Sequence, residues 1–159
     1  MNILFVCTGN TCRSPMAEGI LKSIVHKEKL DIVVKSAGIN TFNGGKASKN
    51  SIKAMENIGL DISGHKSRQI DETLIKEADL ILTMGSSHRD SLLSLYPDSQ
   101  GKTFTLINLA YGVEKDVADP YGQSLYVYEH TRDAIQQAIL QLLRSSQFKL
   151  DKIKEEEEK

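Results

Sequence analysis

The amino-acid sequence predicts an α/β protein: a three-layer fold with a four-stranded parallel sheet and helices on both of its faces. Short β-branched runs alternate along the chain with longer segments that have helical periodicity. The strand candidates are apolar over nearly their whole length, which is typical of parallel strands buried on both faces. A chain of 159 residues, with 40% apolar and 26% charged residues, is long enough for one such domain with its own core.

The first half of the chain carries two strand and two helix patterns. The run NILFVC is apolar and β-branched, and the segment after it repeats apolar residues at helical spacing up to Val25. Ser36-Ala37-Gly38 then leads into a loop that contains Gly44 and Gly45, and Gly59 ends the next helical pattern. The predicted elements are a strand over 2–7, a helix over 15–29, a strand over 31–35 and a helix over 48–58.

The second half repeats the alternation after an irregular polar segment over 60–70. The predicted elements are a short helix over 71–77, a strand over 78–83, a helix over 87–95 and a strand over 102–106. A long loop over 107–123 leads to a last helix whose inward positions are Leu125, Tyr128, Ile135, Ile139, Leu142 and Leu143. We therefore predict one domain over 1–148, followed by a charged, frayed tail over 149–159.

Composition excludes several classes of function. The net charge of -1 offers no basic surface for nucleic acid, so no nucleic-acid partner is expected. The apolar run from Ile3 to Val6 lacks the basic lead-in and the length of a signal peptide, and no run approaches the roughly 20 apolar residues of a membrane span. We expect a cytoplasmic protein with no membrane partner.

The segment between the first strand and the first helix carries the strongest chemical signal. Cys7 lies at the carboxyl end of a predicted parallel strand, where α/β sheets bind their ligands. Cys7 and Arg13 bracket five residues, and Ser14 and Pro15 follow as a predicted cap and first helical position. A loop that enters a helix in this way presents unpaired backbone N–H groups to an anion. The pattern predicts a phosphate site.

Each residue of this loop fits phosphate chemistry. The Arg13 guanidinium can grip two phosphate oxygens, and the positive field favours the thiolate form of Cys7. We expect Ser14 to donate its hydroxyl to that sulfur, and the Asn10 amide to hold the tight curve. Gly9 is expected to let successive N–H groups converge. The predicted phosphate-binding set is Thr8, Gly9, Asn10, Thr11, Cys12, Arg13 and Ser14.

Metal and cofactor chemistry are not expected. Cys7 and Cys12 are the only cysteines, too few for a structural zinc site or for a framework of disulfides. The histidines are scattered, and His26, His88 and His130 are predicted to be surface residues. Cys12 leaves two possibilities open. It could form a reversible disulfide with Cys7 that protects the nucleophile, or it could pack behind the loop.

With these residues the chain resembles the low-molecular-weight protein phosphatases over nearly its whole length. Residues 7–15 resemble their phosphate-binding loop, Ser36-Ala37-Gly38 and residues 59–69 (GLDISGHKSRQ) resemble their middle segments, and Ala118-Asp119-Pro120-Tyr121 resembles their Asp-Pro loop. The resemblance implies that Cys7 is the nucleophile, that Arg13 binds the phosphate and that Asp119 is the general acid. It also implies a pairing of Glu18 with His65 behind the loop, against the alternative of an exposed carboxylate and a loop histidine.

Chemistry alone supports Asp119 more weakly. A phosphoenzyme route needs a proton donor for the leaving group and later a base for water. Asp119 lies in a long loop after the last predicted strand, at the sheet edge that also holds Cys7. An Asp-Pro pair by itself is more often only a turn.

The substrate is predicted from two positions. In the arginine-specific relatives a threonine holds the place of Thr11, whereas tyrosine-specific relatives have an aliphatic residue there. Asp119-Pro120-Tyr121-Gly122 resembles the Asp-Pro-Phe-Gly of the arginine enzymes, and Tyr121 departs from it by one hydroxyl. The resemblance therefore favours hydrolysis of phosphoarginine in proteins, with Thr11 and Tyr121 as specificity residues. The alternative is that Thr11 is a neutral variant in a tyrosine phosphatase.

Two further classes of protein share parts of this pattern. A thioredoxin-coupled arsenate reductase shares the loop but needs further cysteines downstream, and none follows Cys12. A non-catalytic phosphate-binding module would need neither the thiol of Cys7 nor the acid of Asp119. The expected partners are phosphorylated proteins, and the sequence predicts no oligomeric state.

Overall fold

A computed structural model describes residues 1–145 and contains a four-stranded parallel sheet. The strand order across the sheet is β2-β1-β3-β4, so the first strand lies in the interior beside the second and the third. The strands are β1 (Asn2–Cys7), β2 (Val33–Gly38), β3 (Leu80–Thr83) and β4 (Thr103–Thr105). The predicted class, a parallel α/β sheet, is confirmed.

Helices follow each strand and cover both faces of the sheet. They are α1 (Arg13–Glu28), α2 (Lys49–Glu56), α3 (Glu72–Glu77), α4 (Ser86–Leu95), α5 (Leu106–Tyr111) and α6 (Leu125–Leu143), with a 3₁₀ turn over Pro97–Ser99. Serine, threonine or aspartate side chains cap four of these helices by accepting a backbone N–H in the first turn.

The alternation of side chains along β1 creates the two cores. Ile3, Phe5 and Cys7 point into the larger core, which also holds buried residues of α1, α2, α5 and α6. Leu4 and Val6 point into a smaller core with buried residues of α3 and α4. Because both faces of the strand are covered, its apolar run is continuous.

The strand register places the carboxyl end of β1 at the centre of one sheet edge. Cys7 is level with Gly38 at the end of β2, and Val6 is level with Thr83 at the end of β3. The loops that follow these three strands therefore lie side by side. This edge is where parallel sheets bind ligands.

Two predicted elements differ most from the structure. The second strand is Val33–Gly38 instead of 31–35, because Ser36 and Ala37 continue the ladder beside Phe5 and Val6. The predicted loop over 107–123 contains all but the first residue of α5, which Thr105 caps and Gly112 ends in the left-handed region (φ 74°). A six-residue helix is too short for its periodicity to stand out in sequence.

Among residues 1–145, no helix combines the length and the apolar character that crossing a membrane requires. The proposed boundary between a domain over 1–148 and a charged tail over 149–159 falls outside the described residues. It stays a prediction.

Candidate active site

The loop between β1 and α1 turns at Asn10. Its φ of 54° lies in the left-handed region, which asparagine tolerates better than most residues. The expectation that Gly9 provides this turn is wrong, since Gly9 does not have a positive φ. The first helix also begins earlier than predicted, at Arg13, and Ser14 does not cap it. Its hydroxyl is engaged with the cysteine instead.

Asn10 is the centre of the hydrogen-bond network behind the loop. Its Oδ1 accepts the backbone N–H of Arg68 (2.9 Å), which determines the orientation of the amide. Its Nδ2 therefore donates to Ser14 Oγ (2.8 Å) and Ser36 Oγ (2.9 Å). The Nε2–H of His65 donates to the Asn10 carbonyl oxygen (2.8 Å). The predicted role of Asn10 in holding the curve matches these contacts.

This network determines which way the Ser14 hydroxyl points. Since Asn10 donates to Ser14 Oγ, the serine hydrogen is free for Cys7 Sγ, which lies 2.9 Å from Ser14 Oγ. An O–H donated to sulfur favours the charged thiolate over the thiol. The predicted contact between Ser14 and Cys7 is present.

The predicted pairing of Glu18 with His65 is wrong. Glu18 Oε1 accepts from Ser36 Oγ (2.5 Å), and Glu18 Oε2 accepts from Lys22 Nζ (2.7 Å). Both residues support the loop, but through different partners: Glu18 through Ser36, and His65 through the carbonyl of Asn10. The carboxylate is largely buried, with 15% of its side chain exposed, and links the buried Ser36 hydroxyl to the exposed Lys22 ammonium.

Arg13 joins the phosphate loop to the segment that carries Asp119. The guanidinium is buried, and its Nη1 donates to the carbonyl oxygen of Val117 (2.9 Å). Its Nη2 lies 3.7 Å from Asp119 Oδ2. The other carboxylate oxygen of Asp119 accepts the backbone N–H of Tyr121 (3.1 Å). The structure thus brings Asp119 to the loop across more than a hundred residues.

An open pocket of about 260 Å³ lies between the loop and this segment. Cys7 and Arg13 are buried and form its floor, whereas Thr8 and Tyr121 are exposed and form its mouth. The full lining is Cys7, Thr8, Gly9, Thr11, Cys12, Arg13, Asp119 and Tyr121. All the predicted site residues line the pocket except Asn10 and Ser14, whose side chains lie behind the loop.

Cys12 lies at the start of α1 and is buried against α6. Its Sγ is 3.4 Å from the Tyr128 hydroxyl and 3.6 Å from Ser48 Oγ. Burial, together with the hydrogen bond to Cys12, raises the pKa of Tyr128 to about 12, so its phenol stays protonated. Both cysteines are free thiols in the structure.

The prediction that His88 is a surface residue is wrong. It lies in the first turn of α4, only 7% exposed, and its Nε2 is 2.8 Å from Thr8 Oγ1. Burial lowers its pKa and Arg13 lowers it further, while Asp116 and Asp119 act in the opposite direction. A signal was available in the sequence: His88 closely follows the carboxyl end of β3, the sheet edge that holds Cys7.

Within residues 1–145, no three histidine, cysteine or acidic side chains are grouped as a metal site would require. The site has instead a cysteine sulfur on the floor, a buried guanidinium beside it and a carboxylate above it. The sulfur and the guanidinium belong to a strand–loop–helix turn, a backbone arrangement that binds anions. That combination defines the class of cysteine-dependent phosphatases.

Residues 2–158 match the family model described as low molecular weight phosphotyrosine protein phosphatase, and the chain belongs to this family. The resemblance seen in the sequence is thereby confirmed. A Bacillus subtilis protein named protein-arginine-phosphatase is 40% identical over 154 residues, which are 96% of this chain and 99% of that protein.

Two solved structures are similar throughout. One is described as the YwlE arginine phosphatase, a cysteine-to-serine mutant with a phosphorylated active-site serine. Its TM-score is 0.88 at 38% identity, covering 92% of this chain and 97% of that one. The other is a low molecular weight protein tyrosine phosphatase from T. tengcongensis. Its TM-score is 0.86 at 43% identity, covering 90% and 97%.

Proposed function

We propose that this protein is a protein-arginine phosphatase that works through a phosphocysteine intermediate. One observation carries the phosphatase part: the Ser14 hydroxyl is aimed at Cys7 Sγ on the floor of a pocket that the Arg13 guanidinium shares. An activated sulfur beside a fixed cation is what attack on a phosphoryl group requires. No metal or cofactor is expected, and this remains a prediction.

In the first step the Cys7 thiolate attacks phosphorus, and the bond between phosphorus and the substrate's guanidino nitrogen breaks. Arg13 and the N–H groups of residues 8–14 stabilise the equatorial oxygens. Asp119 gives its proton to the departing nitrogen, and its half-exposed position at the pocket suits contact with a leaving group. A phosphocysteine and a free arginine side chain result.

In the second step water attacks the phosphocysteine. The Asp119 carboxylate accepts a proton from that water, and Cys7 leaves as a thiolate that Ser14 stabilises. Inorganic phosphate departs and Asp119 is again protonated. One carboxyl group therefore serves as acid and then as base.

The arginine preference has two supports. Thr11 lines the pocket and offers a hydroxyl where an aliphatic side chain would offer only apolar surface. The Bacillus subtilis relative is named protein-arginine-phosphatase, and the chain covers nearly its full length. By this analogy the substrates are proteins phosphorylated on arginine. The predicted cytoplasmic location and the absence of nucleic-acid partners remain predictions.

The second candidate is a protein-tyrosine phosphatase. It is favoured by the T. tengcongensis structure, which is named as such and shares 43% of its residues with this chain. Tyr121, 77% exposed at the mouth, could stack on a phenol ring as well as on a guanidino group. The two candidate functions would use the same phosphate site at Cys7 and Arg13. They differ in the leaving group that the rest of the pocket accepts.

The proposal is tested with Cys7→Ser, measured on a protein phosphorylated on arginine and on an aryl phosphate. Turnover of both should disappear, because a serine hydroxyl is a far weaker nucleophile than a thiolate. Lys76→Ala, on the exposed surface of α3 and outside the pocket lining, is the control and should keep full activity. Substantial turnover by the Cys7 variant would overturn the phosphatase mechanism. Absence of turnover by the parent would leave only a phosphate-binding module.

A further inference from the structure

The imidazole of His88 is the most unusual polar group outside the proposed catalytic set. Its Nδ1 is the one buried side-chain nitrogen or oxygen in residues 1–145 that lacks a hydrogen-bond partner. Nearly all buried polar groups in folded proteins are paired, so an exception calls for an explanation. The other nitrogen, Nε2, bonds Thr8, whose side chain is exposed at the mouth of the pocket.

The unpaired Nδ1 indicates where the imidazole proton lies. Burial and the nearby Arg13 lower the pKa of His88, against the effect of Asp116 and Asp119, which favours the neutral ring with a single N–H. A buried N–H without an acceptor is rarer and costlier than a buried acceptor without a donor. The proton therefore lies on Nε2 and is donated to Thr8 Oγ1.

His88 is buried close to Gly85 and Asp116. A side chain at Gly85 would come within 3.4 Å of His88 Nδ1 and 3.2 Å of Asp116 Oδ2, so both groups lie beside this glycine. Asp116 is itself held by the backbone N–H of Ser86 (2.9 Å). The imidazole therefore lies near the segment that carries Asp116 and Asp119.

The Thr8 hydroxyl lies on the leaving-group side of the pocket. Phosphorus must approach Cys7 on the buried floor, so the rest of the substrate points toward the exposed mouth formed by Thr8 and Tyr121. After accepting from His88, Thr8 Oγ1 keeps one lone pair free. A guanidino group carries N–H donors beside its phosphorus, whereas the ring of phosphotyrosine carries none.

We propose that Thr8 is a specificity-determining residue that accepts a hydrogen bond from the guanidino group of the substrate, and that His88 is the positioning residue that holds its hydroxyl. This inference rests on the proposed arginine specificity and extends it from Thr11 to the opposite end of the loop. His88 acts only through Thr8 and does not touch the substrate. The sequence predicts that Thr8 binds the phosphate, through its backbone N–H. The proposal adds that its side chain binds the leaving group.

The experiment measures kcat/KM on a phosphoarginine peptide and on a phosphotyrosine peptide of matched sequence, and compares their ratio among variants. His88→Leu and Thr8→Val should each lower the ratio about tenfold, the effect of one lost hydrogen bond. His88→Gln should restore it, because the glutamine amide N–H occupies the position of Nε2. The His88→Leu/Thr8→Val double variant should match Thr8→Val alone, since both changes remove one interaction.

If His88 has a purely structural role, His88→Leu would lower kcat/KM equally on both peptides. The ratio would then stay unchanged, which would overturn the proposal. Equal ratios for His88→Gln and His88→Leu would do the same. If His88→Leu fails to fold, an unchanged ratio in Thr8→Val still overturns it. A parent without activity on phosphoarginine would instead refute the proposed function, so the two failures are distinguishable.

Discussion

The Arg13 guanidinium lies 3.7 Å from the Asp119 carboxylate and donates to the carbonyl oxygen of Val117, two residues before it. The cation proposed to bind the phosphoryl group thus also positions the proposed proton donor. Asp119 is half exposed, so the ion pair itself contributes little to stability. Its consequence is geometric: the carboxylate stays above the floor of the pocket.

Asp119→Asn should separate proton donation from binding. The amide keeps the shape and can still accept the Tyr121 N–H, but it has no proton to give. We expect kcat on phosphoarginine to fall about 10²–10⁴-fold. On an aryl phosphate with a weakly basic leaving group, kcat should fall much less, because that group departs without a proton. Equal losses on both substrates would contradict the role of general acid.

Asn10→Ala and Asn10→Gly form a matched pair that tests the network behind the loop. Both remove three side-chain hydrogen bonds, but glycine tolerates the positive φ and alanine does not. We expect both variants to lose activity, since Ser14 is no longer oriented toward Cys7. Thermal unfolding should show alanine to be the less stable by about 1 kcal/mol. Full activity in Asn10→Gly would show that the side-chain bonds are dispensable.

Cys12 is predicted to protect Cys7 from irreversible oxidation through a reversible disulfide. Both thiols line the same pocket and are free in the structure, so a disulfide between them is available under peroxide. After peroxide followed by excess thiol, the parent should recover activity and Cys12→Ser should not. Equal recovery of the two proteins would favour the alternative, in which Cys12 only packs against Tyr128.

Tyr128 should make stability depend on alkaline pH. The phenol ionises near pH 10 in the unfolded chain and at about 12 in the folded protein. Between these values the folded state binds more protons, so the free energy of unfolding falls as the pH rises. The loss should approach roughly 2–3 kcal/mol by the folded pKa. Denaturant titrations of the parent and of Tyr128→Phe measure it, and an equally steep fall in the variant would refute it.

The sequence predicted the sheet and the floor of the site because both depend on local patterns. The strand over 2–7 and the loop over 7–14 adjoin one another in the chain, and a helix N-terminus directs their chemistry. The direction of the Ser14 hydroxyl could also be expected from the need to stabilise a thiolate. Most of the site could therefore be predicted from local sequence.

The contacts that the sequence did not predict are those between residues far apart in the chain. The partners of Glu18, His65 and His88 are set by which loops meet at the sheet edge, and spacing along the chain does not specify this. The turn of the loop was expected at Gly9, the residue with the highest intrinsic freedom. It lies instead at Asn10, whose side chain and carbonyl are held by β2 and by the segment over 60–70. Tertiary contacts of Asn10, and not the intrinsic backbone freedom of Gly9, determine where this loop turns.

The preference for arginine is tested most directly by kcat/KM on matched phosphoarginine and phosphotyrosine peptides, for the parent and for Thr11→Ile. The parent should prefer phosphoarginine, and the variant should shift toward phosphotyrosine, because an aliphatic side chain replaces a hydroxyl in the lining of the pocket. Equal or better activity of the parent on phosphotyrosine would contradict the assignment.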